Sequence, residues 1–177
     1  MKKIHLLLLA PLLIVACQSK PAADSSAAKS DTVLNLPYAL KVDRKWEINP
    51  DQGNLQTALS AMKAFEKADS NAMKNILGDT VQVLYEGGEF KGKKSDFLQA
   101  VMHEAGMYKN LQISMDDWES VISKDKSEEW VSLWYKQKWQ NEKGKTDSLQ
   151  MYNDIQLKNG KLIKWVDYSR HYAPQAK

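Results

Sequence analysis

The spacing of apolar residues changes along the chain and predicts helices first and strands afterwards. Apolar residues recur at intervals of three and four over residues 55–68, which predicts an amphipathic helix with Asn54 as its N-cap. The spacing restarts over residues 72–78 and stops at Gly78, which predicts a second, shorter helix closed by that glycine. A third helix is expected from about Ser95 to Ala105.

Alternating apolar and polar residues predict the strands. Residues 80–85 alternate, and the glycine-rich residues 86–92 predict a turn with a small edge element. Beyond Tyr108 the alternation predicts a four-stranded meander, with Asn159-Gly160 as a two-residue hairpin because both positions tolerate positive φ. The fold class is therefore α+β, with helices on one face of a curved antiparallel sheet. The meander strands are expected at 111–122, 129–140, 148–157 and 161–172.

The predicted domain covers residues 53–172 and has a segment on either side. Residues 37–52 are expected to be an extended arm, with a short strand within 38–48, because the sequence NPDQG ends their alternation. Residues 173–177 are expected to be a C-terminal tail.

The N-terminal residues have the pattern of a targeting segment. A cationic start precedes an apolar run of about ten residues, which is too short to span roughly 30 Å of hydrocarbon and fits a signal peptide over residues 1–16. The sequence Ile-Val-Ala-Cys at 14–17 resembles the bacterial lipobox, which implies lipidation of Cys17 by diacylglycerol and palmitate-type acyl chains. The alternatives are an ordinary signal peptide or a short membrane anchor with an incidental cysteine.

Lipidation would attach the folded domain to the membrane through a linker. Residues 17–36 comprise the acylated cysteine and a Ser-, Ala-, Lys- and Asp-rich segment that cannot bury enough apolar surface to order itself. Gln18, and not Asp, follows the cysteine. By resemblance to Gram-negative lipoproteins, this implies a cell-envelope protein anchored to the outer membrane.

Composition and charge exclude several function classes. The apolar fraction of 43% and the charged fraction of 27% are typical of one globular domain. Lys2 and Lys3 contribute most of the net charge of +3, so the remainder is nearly neutral and has no electrostatic drive toward nucleic acid. The single cysteine excludes an intramolecular disulfide.

Three segments resemble the NTF2-like superfamily, which includes SnoaL-like and ketosteroid-isomerase-like proteins. They are the helix pair LQTALSAMKAFEKADSNAMKNIL, the strand start GDTVQVLYEGGEFKG and the ending NGKLIKWVDYSRHY, which looks like the family's final strand DGKI-x-x-W-x-D-Y. The chain is also similar to small NTF2-like lipoproteins of Bacteroidetes. The resemblance implies a conical pocket used for small apolar ligands, for proton transfer or for dimerisation.

Asp167 is the candidate catalytic residue. Alternation places it on one face of the last strand with Trp165, and limonene-epoxide-hydrolase-like members have an Asp at this position that reaches the cavity. A carboxylate in a poorly hydrated cavity would have a raised pKa. The Arg and second Asp of those hydrolases are missing from the neighbouring strand, and Tyr85 with Glu86 makes an incomplete isomerase-like set. Asp167 is alternatively a buried hydrogen-bonding residue or a partner of Lys136.

Aromatic residues supply the remaining binding candidates. Trp130 and Trp134 share a strand face with Lys136, and this mixed character favours a wet pocket or an exposed sheet face over a dry core, although a core filled by large residues is the alternative. The residues predicted to contact a ligand are Trp130, Trp134, Lys136, Trp165, Asp167 and Tyr85.

Metal ions and cofactors are not expected. His103 and His171 lie far apart without ligand spacing, and no phosphate-binding loop or nucleophile elbow is present. The sequence therefore predicts a non-catalytic module that binds a small apolar or aromatic ligand, a protein partner, or a second copy through the sheet face. The alternative is a SnoaL-like or ketosteroid-isomerase-like enzyme with Asp167 as acid or base.

Overall fold

Seven strands form one sheet in the computed structural model, which describes residues 36–171. The strands lie in the order β1-β4-β5-β6-β7-β2-β3. The helices are α1 (Gly53–Glu66), α2 (Ser70–Ile76) and α3 (Lys94–Met107). The strands are β1 (Glu47–Ile48), β2 (Leu77–Tyr85), β3 (Gly88–Lys93), β4 (Lys109–Ile122), β5 (Glu129–Gln140), β6 (Thr146–Lys158) and β7 (Lys161–His171). The signal peptide, Cys17, the tether up to residue 35 and the tail lie outside the described residues.

The predicted meander is present, and one further pairing makes the sheet mixed. β4, β5, β6 and β7 pair antiparallel in sequence order. The β6–β7 hairpin turns at Asn159 and Gly160, which have φ angles of 52° and 69°, as the sequence predicts. β2 then pairs with β7 in parallel, so the expectation of a wholly antiparallel sheet needs this correction. Alternation predicts that a strand forms, but it does not reveal which edge the strand joins.

Two helix boundaries differ from the sequence prediction. Gln52, and not Asn54, is the N-cap of α1, and the buried Asn54 amide instead donates a 2.6 Å hydrogen bond to Glu129 on β5. Asp69 caps α2 by accepting a hydrogen bond of 2.9 Å from the Ala72 backbone N–H.

Gly78 lies within β2 and does not close α2, which ends at Ile76 with Leu77 as its C-cap. A Cβ at position 78 would lie 3.0 Å from Ile163 Cγ2 and 3.3 Å from the Leu162 carbonyl oxygen. The glycine therefore permits the close approach of β2 to β7.

The N-terminal arm contributes one short strand. Residues 36–46 contain no helix or strand, and Glu47–Ile48 then pair with Val121 and Ile122 at the edge of β4. Helix formation begins five residues later.

The three helices cover one face of the sheet, called here the inner face. On β5, Val131, Leu133 and Tyr135 point inward and are at most 2% exposed. They pack in one core with Ala58 and Met62 of α1. Every second residue of the central strands therefore faces the helices, and the residues between them form the outer face. None of the helices in the described residues is long and apolar enough to cross a membrane.

Candidate functional site

A cavity of about 580 Å³ opens on the inner face of the sheet. Its walls come from the C-terminal part of α1, from α3, from the β2–β3 hairpin and from the inner face of β5, β6 and β7. Most of its lining is apolar or aromatic, which is typical of a small-molecule site. The lining residues are Phe65, Val83, Tyr85, Glu86, Phe90, Phe97, Ala100, Val101, Glu104, Met107, Tyr108, Tyr135, Gln137, Leu149, Met151, Trp165, Asp167 and Ser169.

Strand alternation brings Trp165, Asp167 and Ser169 of β7 into the cavity. Trp165 is 8% exposed and packs in the core, so it forms part of the wall without filling the space. Tyr85, at the end of β2, lies at the cavity mouth with half of its surface exposed.

A hydrogen-bonded chain leads from the core to the Asp167 carboxylate. The buried Tyr135 hydroxyl donates to Asn153 Oδ1 over 2.6 Å, and Asn153 Nδ2 donates to Asp167 Oδ1 over 2.8 Å. Asn153 is completely buried, and each of its two side-chain polar atoms has a partner in this chain. The Asn153 amide therefore fixes the position of both the tyrosine and the carboxylate.

The surroundings of Asp167 favour its neutral form. Burial raises the pKa of this carboxyl group to about 6, the Asn153 hydrogen bond opposes the rise, and the negative charge of Glu104 adds to it. Burial also raises the pKa of Tyr135 well above its ordinary value, with Asp167 adding to the shift. Asp167 can thus take up and release a proton near neutral pH, while Tyr135 remains a neutral hydrogen-bond donor.

Two acidic residues lie at the rim of the cavity. Glu104 on α3 is exposed and accepts a 3.1 Å hydrogen bond from the Tyr108 hydroxyl, and burial together with this carboxylate raises the pKa of Tyr108. Glu86, in the β2–β3 turn, accepts a 3.3 Å hydrogen bond from Ser169 on β7. The rim is therefore negatively charged.

The predicted ligand residues Trp130, Trp134 and Lys136 lie on the outer face of β5, away from the cavity. This corrects the expectation that they line one site with Asp167, because alternate residues of a strand point to opposite faces and the helices cover the other one. Lys136 is exposed on the outer face, whereas Asp167 points inward, so Asn153 replaces Lys136 as the observed partner of Asp167.

The outer face has its own row of aromatic side chains, formed by Trp134, Tyr152 and Tyr168. The ring centroids of Trp134 and Tyr152 are 5.2 Å apart, and those of Tyr152 and Tyr168 are 5.7 Å apart. Lys164 Nζ lies 5.8 Å from the centroid of Trp130, next to this outer aromatic row. The mixed character of these positions thus corresponds to a partly exposed sheet surface.

The sequence prediction missed Tyr135, Gln137 and Glu104, which line the cavity, and the buried Asn153, which donates a hydrogen bond to Asp167. A signal was present for the first two, since Tyr135 and Gln137 alternate with Trp134 and Lys136 on the inward register of Val131 and Leu133. Asn153 likewise shares the inward register of Met151 and Ile155 on β6. Among residues 36–171, no group of three or more His, Cys, Asp or Glu side chains could hold a metal ion.

No protein-family model matches the sequence, and no curated protein matches it. Solved structures do match the fold. A ketosteroid isomerase-like protein from Catenulispora acidiphila, in complex with trimethylamine, has a TM-score of 0.53 and 9% identity over 64% of this chain and 84% of that one. An NTF2-like protein from Burkholderia xenovorans has a TM-score of 0.51 and 13% identity over 67% and 90% of the two chains. A candidate SnoaL-like polyketide cyclase from Jannaschia has a TM-score of 0.58 and 10% identity over 70% and 90%.

The fold of the domain is shown by these matches and by the helices packed on one face of the sheet. The domain has the NTF2-like fold, which it shares with these SnoaL-like and ketosteroid isomerase-like structures. Identities this low show the fold alone.

Proposed function

We propose that the NTF2-like domain binds a small, largely apolar molecule in the cavity between α3 and the inner face of the sheet. The observation that carries the proposal is a cavity of about 580 Å³ lined mainly by apolar and aromatic residues, with the Asp167 carboxylate as a polar group on its wall. Such a lining excludes water around an apolar ligand, and the polar group orients it. The neighbour from Catenulispora also binds a small molecule, trimethylamine, according to its own structure.

The same proposal includes the membrane as a partner. Residues 1–16 act as a lipoprotein signal peptide, Cys17 carries the lipid, and residues up to 36 tether the domain to the cell envelope. The support is the sequence at 14–17, where the only cysteine of the chain occupies the lipobox position. Gln18 favours the outer membrane of a Gram-negative bacterium.

A second copy of the chain is proposed as the partner of the outer face. The outer aromatic row presents large, partly exposed rings, and Tyr168 has 56% of its surface exposed. Aromatic residues on a sheet surface are typical of protein interfaces. This pairing would leave the cavity open, because it uses the opposite face.

An enzyme of the SnoaL-like or ketosteroid isomerase-like type is the second candidate function. It is favoured by the position of Asp167 in the cavity and by its pKa near 6, which suits an acid or base. One observation speaks against it. Among the described residues, only Asn153 forms a hydrogen bond with Asp167, and no second acid or base does so. The binding function therefore has the better support.

Native mass spectrometry of the chain from about residue 36 tests the binding function. We expect a co-purified molecule, whose mass disappears when Ala100→Trp fills the cavity from α3. Gln99→Trp is the matched control, since the neighbouring residue does not line the cavity. Equal occupancy in both variants would contradict the proposed site.

The enzyme candidate has a separate measurement. Proton transfer by Asp167 would exchange the α-protons of a small apolar ketone for deuterium, and Asp167→Asn would abolish that exchange. Exchange that persists in this variant would exclude Asp167 as the base.

A further inference from the structure

The ionisable residues that line the cavity are all acidic. Its lining contains three carboxylates, Glu86, Glu104 and Asp167, and no Lys, Arg or His among the residues that the structure describes. An anionic ligand would meet uncompensated repulsion there, whereas a cation would be attracted. Acidic residues on an open surface would not by themselves indicate a binding site, but these three line a largely apolar cavity.

The Oδ2 atom of Asp167 is available to accept a hydrogen bond from a ligand. The Oδ1 atom accepts the hydrogen bond from Asn153, and no described residue donates to Oδ2. At pH 7.5 most of the carboxyl groups are ionised, because their pKa is about 6. The cavity thus contains a partly buried negative charge whose hydrogen-bonding capacity is only partly used.

Gln137 gives independent support for a polar ligand. Its residue surface is 4% exposed, it lines the cavity from β5, and its side-chain amide makes no hydrogen bond to another of residues 36–171. Its amide atoms are not among the buried side-chain atoms that lack a partner, so they are accessible from the cavity and available to a ligand. A ligand N–H donated to the Gln137 carbonyl oxygen would satisfy it.

Aromatic rings supply the third contribution. Seven of the lining residues are Phe, Tyr or Trp, and Tyr135 and Trp165 contribute rings that are almost completely buried. The faces of such rings carry partial negative charge and attract ammonium groups, an interaction that strengthens where water is excluded.

Taking the proposed small-molecule site as its basis, we infer that the ligand is an organic cation: a protonated primary or secondary amine attached to an apolar group. The ammonium N–H groups donate to Asp167 Oδ2 and to the Gln137 carbonyl oxygen. The apolar group packs among the aromatic side chains, and the acidic rim attracts the cation toward the mouth.

Three probes of one shape separate charge from apolar packing: phenylbutylamine, phenylbutanol and phenylbutyrate. They are titrated at pH 7.5 into the chain from Gln18 to Lys177, which retains every described residue, by isothermal calorimetry. We expect the amine to bind about tenfold more tightly than the alcohol and the carboxylate to bind most weakly. Equal or tighter binding of the alcohol would overturn the cation inference and leave the proposed small-molecule function intact. Failure of all three to bind would overturn both.

Charge-removing variants locate the effect. Asp167→Asn should weaken the binding of phenylbutylamine about tenfold and leave that of phenylbutanol within about twofold. Glu104→Gln, at an exposed position where folding is not at risk, should weaken amine binding by about threefold. Glu142→Gln removes an exposed charge outside the cavity and should change neither affinity. Equal effects of Glu104→Gln and Glu142→Gln would overturn the inference.

Discussion

The Asn153 amide donates a 2.8 Å hydrogen bond to Asp167 Oδ1 on the adjacent strand, where the two residues are cross-strand partners. The other end of the same amide accepts the Tyr135 hydroxyl over 2.6 Å. A single buried side chain thus links a core tyrosine to the carboxylate of the cavity. The stability and the proton affinity of the site both depend on this link.

The charge of Asp167 is expected to cost stability. Its folded-state pKa of about 6 lies above the ordinary 3.8, so the folded protein holds this proton more tightly than the unfolded chain does. The penalty is therefore present above about pH 6 and disappears as the pH falls toward 4. Asp167→Asn should raise the free energy of unfolding by roughly 1–3 kcal/mol at about pH 8 and by little at about pH 4, measured by urea denaturation.

Glu142→Gln removes the same charge from an exposed turn and should change the free energy of unfolding by less than about 0.5 kcal/mol. If Asp167→Asn destabilised the protein at the higher pH, the carboxylate would be a structural group and not one held at a cost.

Loss of the Asn153 amide should destabilise the fold. Asn153→Leu keeps a similar volume but leaves the buried Tyr135 hydroxyl without its acceptor, at a cost of about 2–3 kcal/mol in the free energy of unfolding. Adding Tyr135→Phe removes the hydroxyl that lacks an acceptor and should restore part of the lost free energy of unfolding. A double-mutant cycle in urea measures this coupling. Strict additivity of the two changes would contradict the link.

The outer aromatic row is expected to mediate self-association. Tyr168→Glu places a charge on this exposed surface and should raise the dissociation constant of the dimer at least about tenfold, as measured by sedimentation equilibrium. Tyr85→Glu is the matched control, because Tyr85 is a similarly exposed tyrosine at the cavity mouth on the opposite face. A wild-type protein that stays monomeric at high concentration would remove the basis for a dimer.

Cys17→Ser is expected to release the protein from the membrane. Serine cannot form the thioether to diacylglycerol, so the variant should move from the detergent phase to the aqueous phase on phase partition. Ser19→Ala, two residues away in the tether, should leave the protein in the detergent phase. Membrane retention of the serine variant would contradict the lipid anchor.

Local patterns predicted the helices and strands more reliably than the partners that these elements contact. The strand at 129–140 was predicted with its observed bounds, and the turn at Asn159-Gly160 follows from the conformational freedom of those two residues. The predicted roles of Asn54 and Gly78 at helix ends were wrong, because each residue is occupied by a distant contact: Asn54 with Glu129, and Gly78 with β7. Tertiary contacts can outweigh local capping preferences.

The sequence by itself determined that Trp165 and Asp167 share one face of the last strand, because side chains two residues apart in a strand point the same way. It also indicated the helix-then-meander order that resembles the NTF2-like fold. Only the tertiary structure decided which face of β5 meets the cavity, and it replaced Trp134 and Lys136 with Tyr135 and Gln137. The partners of Asp167 were likewise decided there, since Glu104 and Asn153 approach it through helix packing and strand register, long-range relationships that no local spacing encodes.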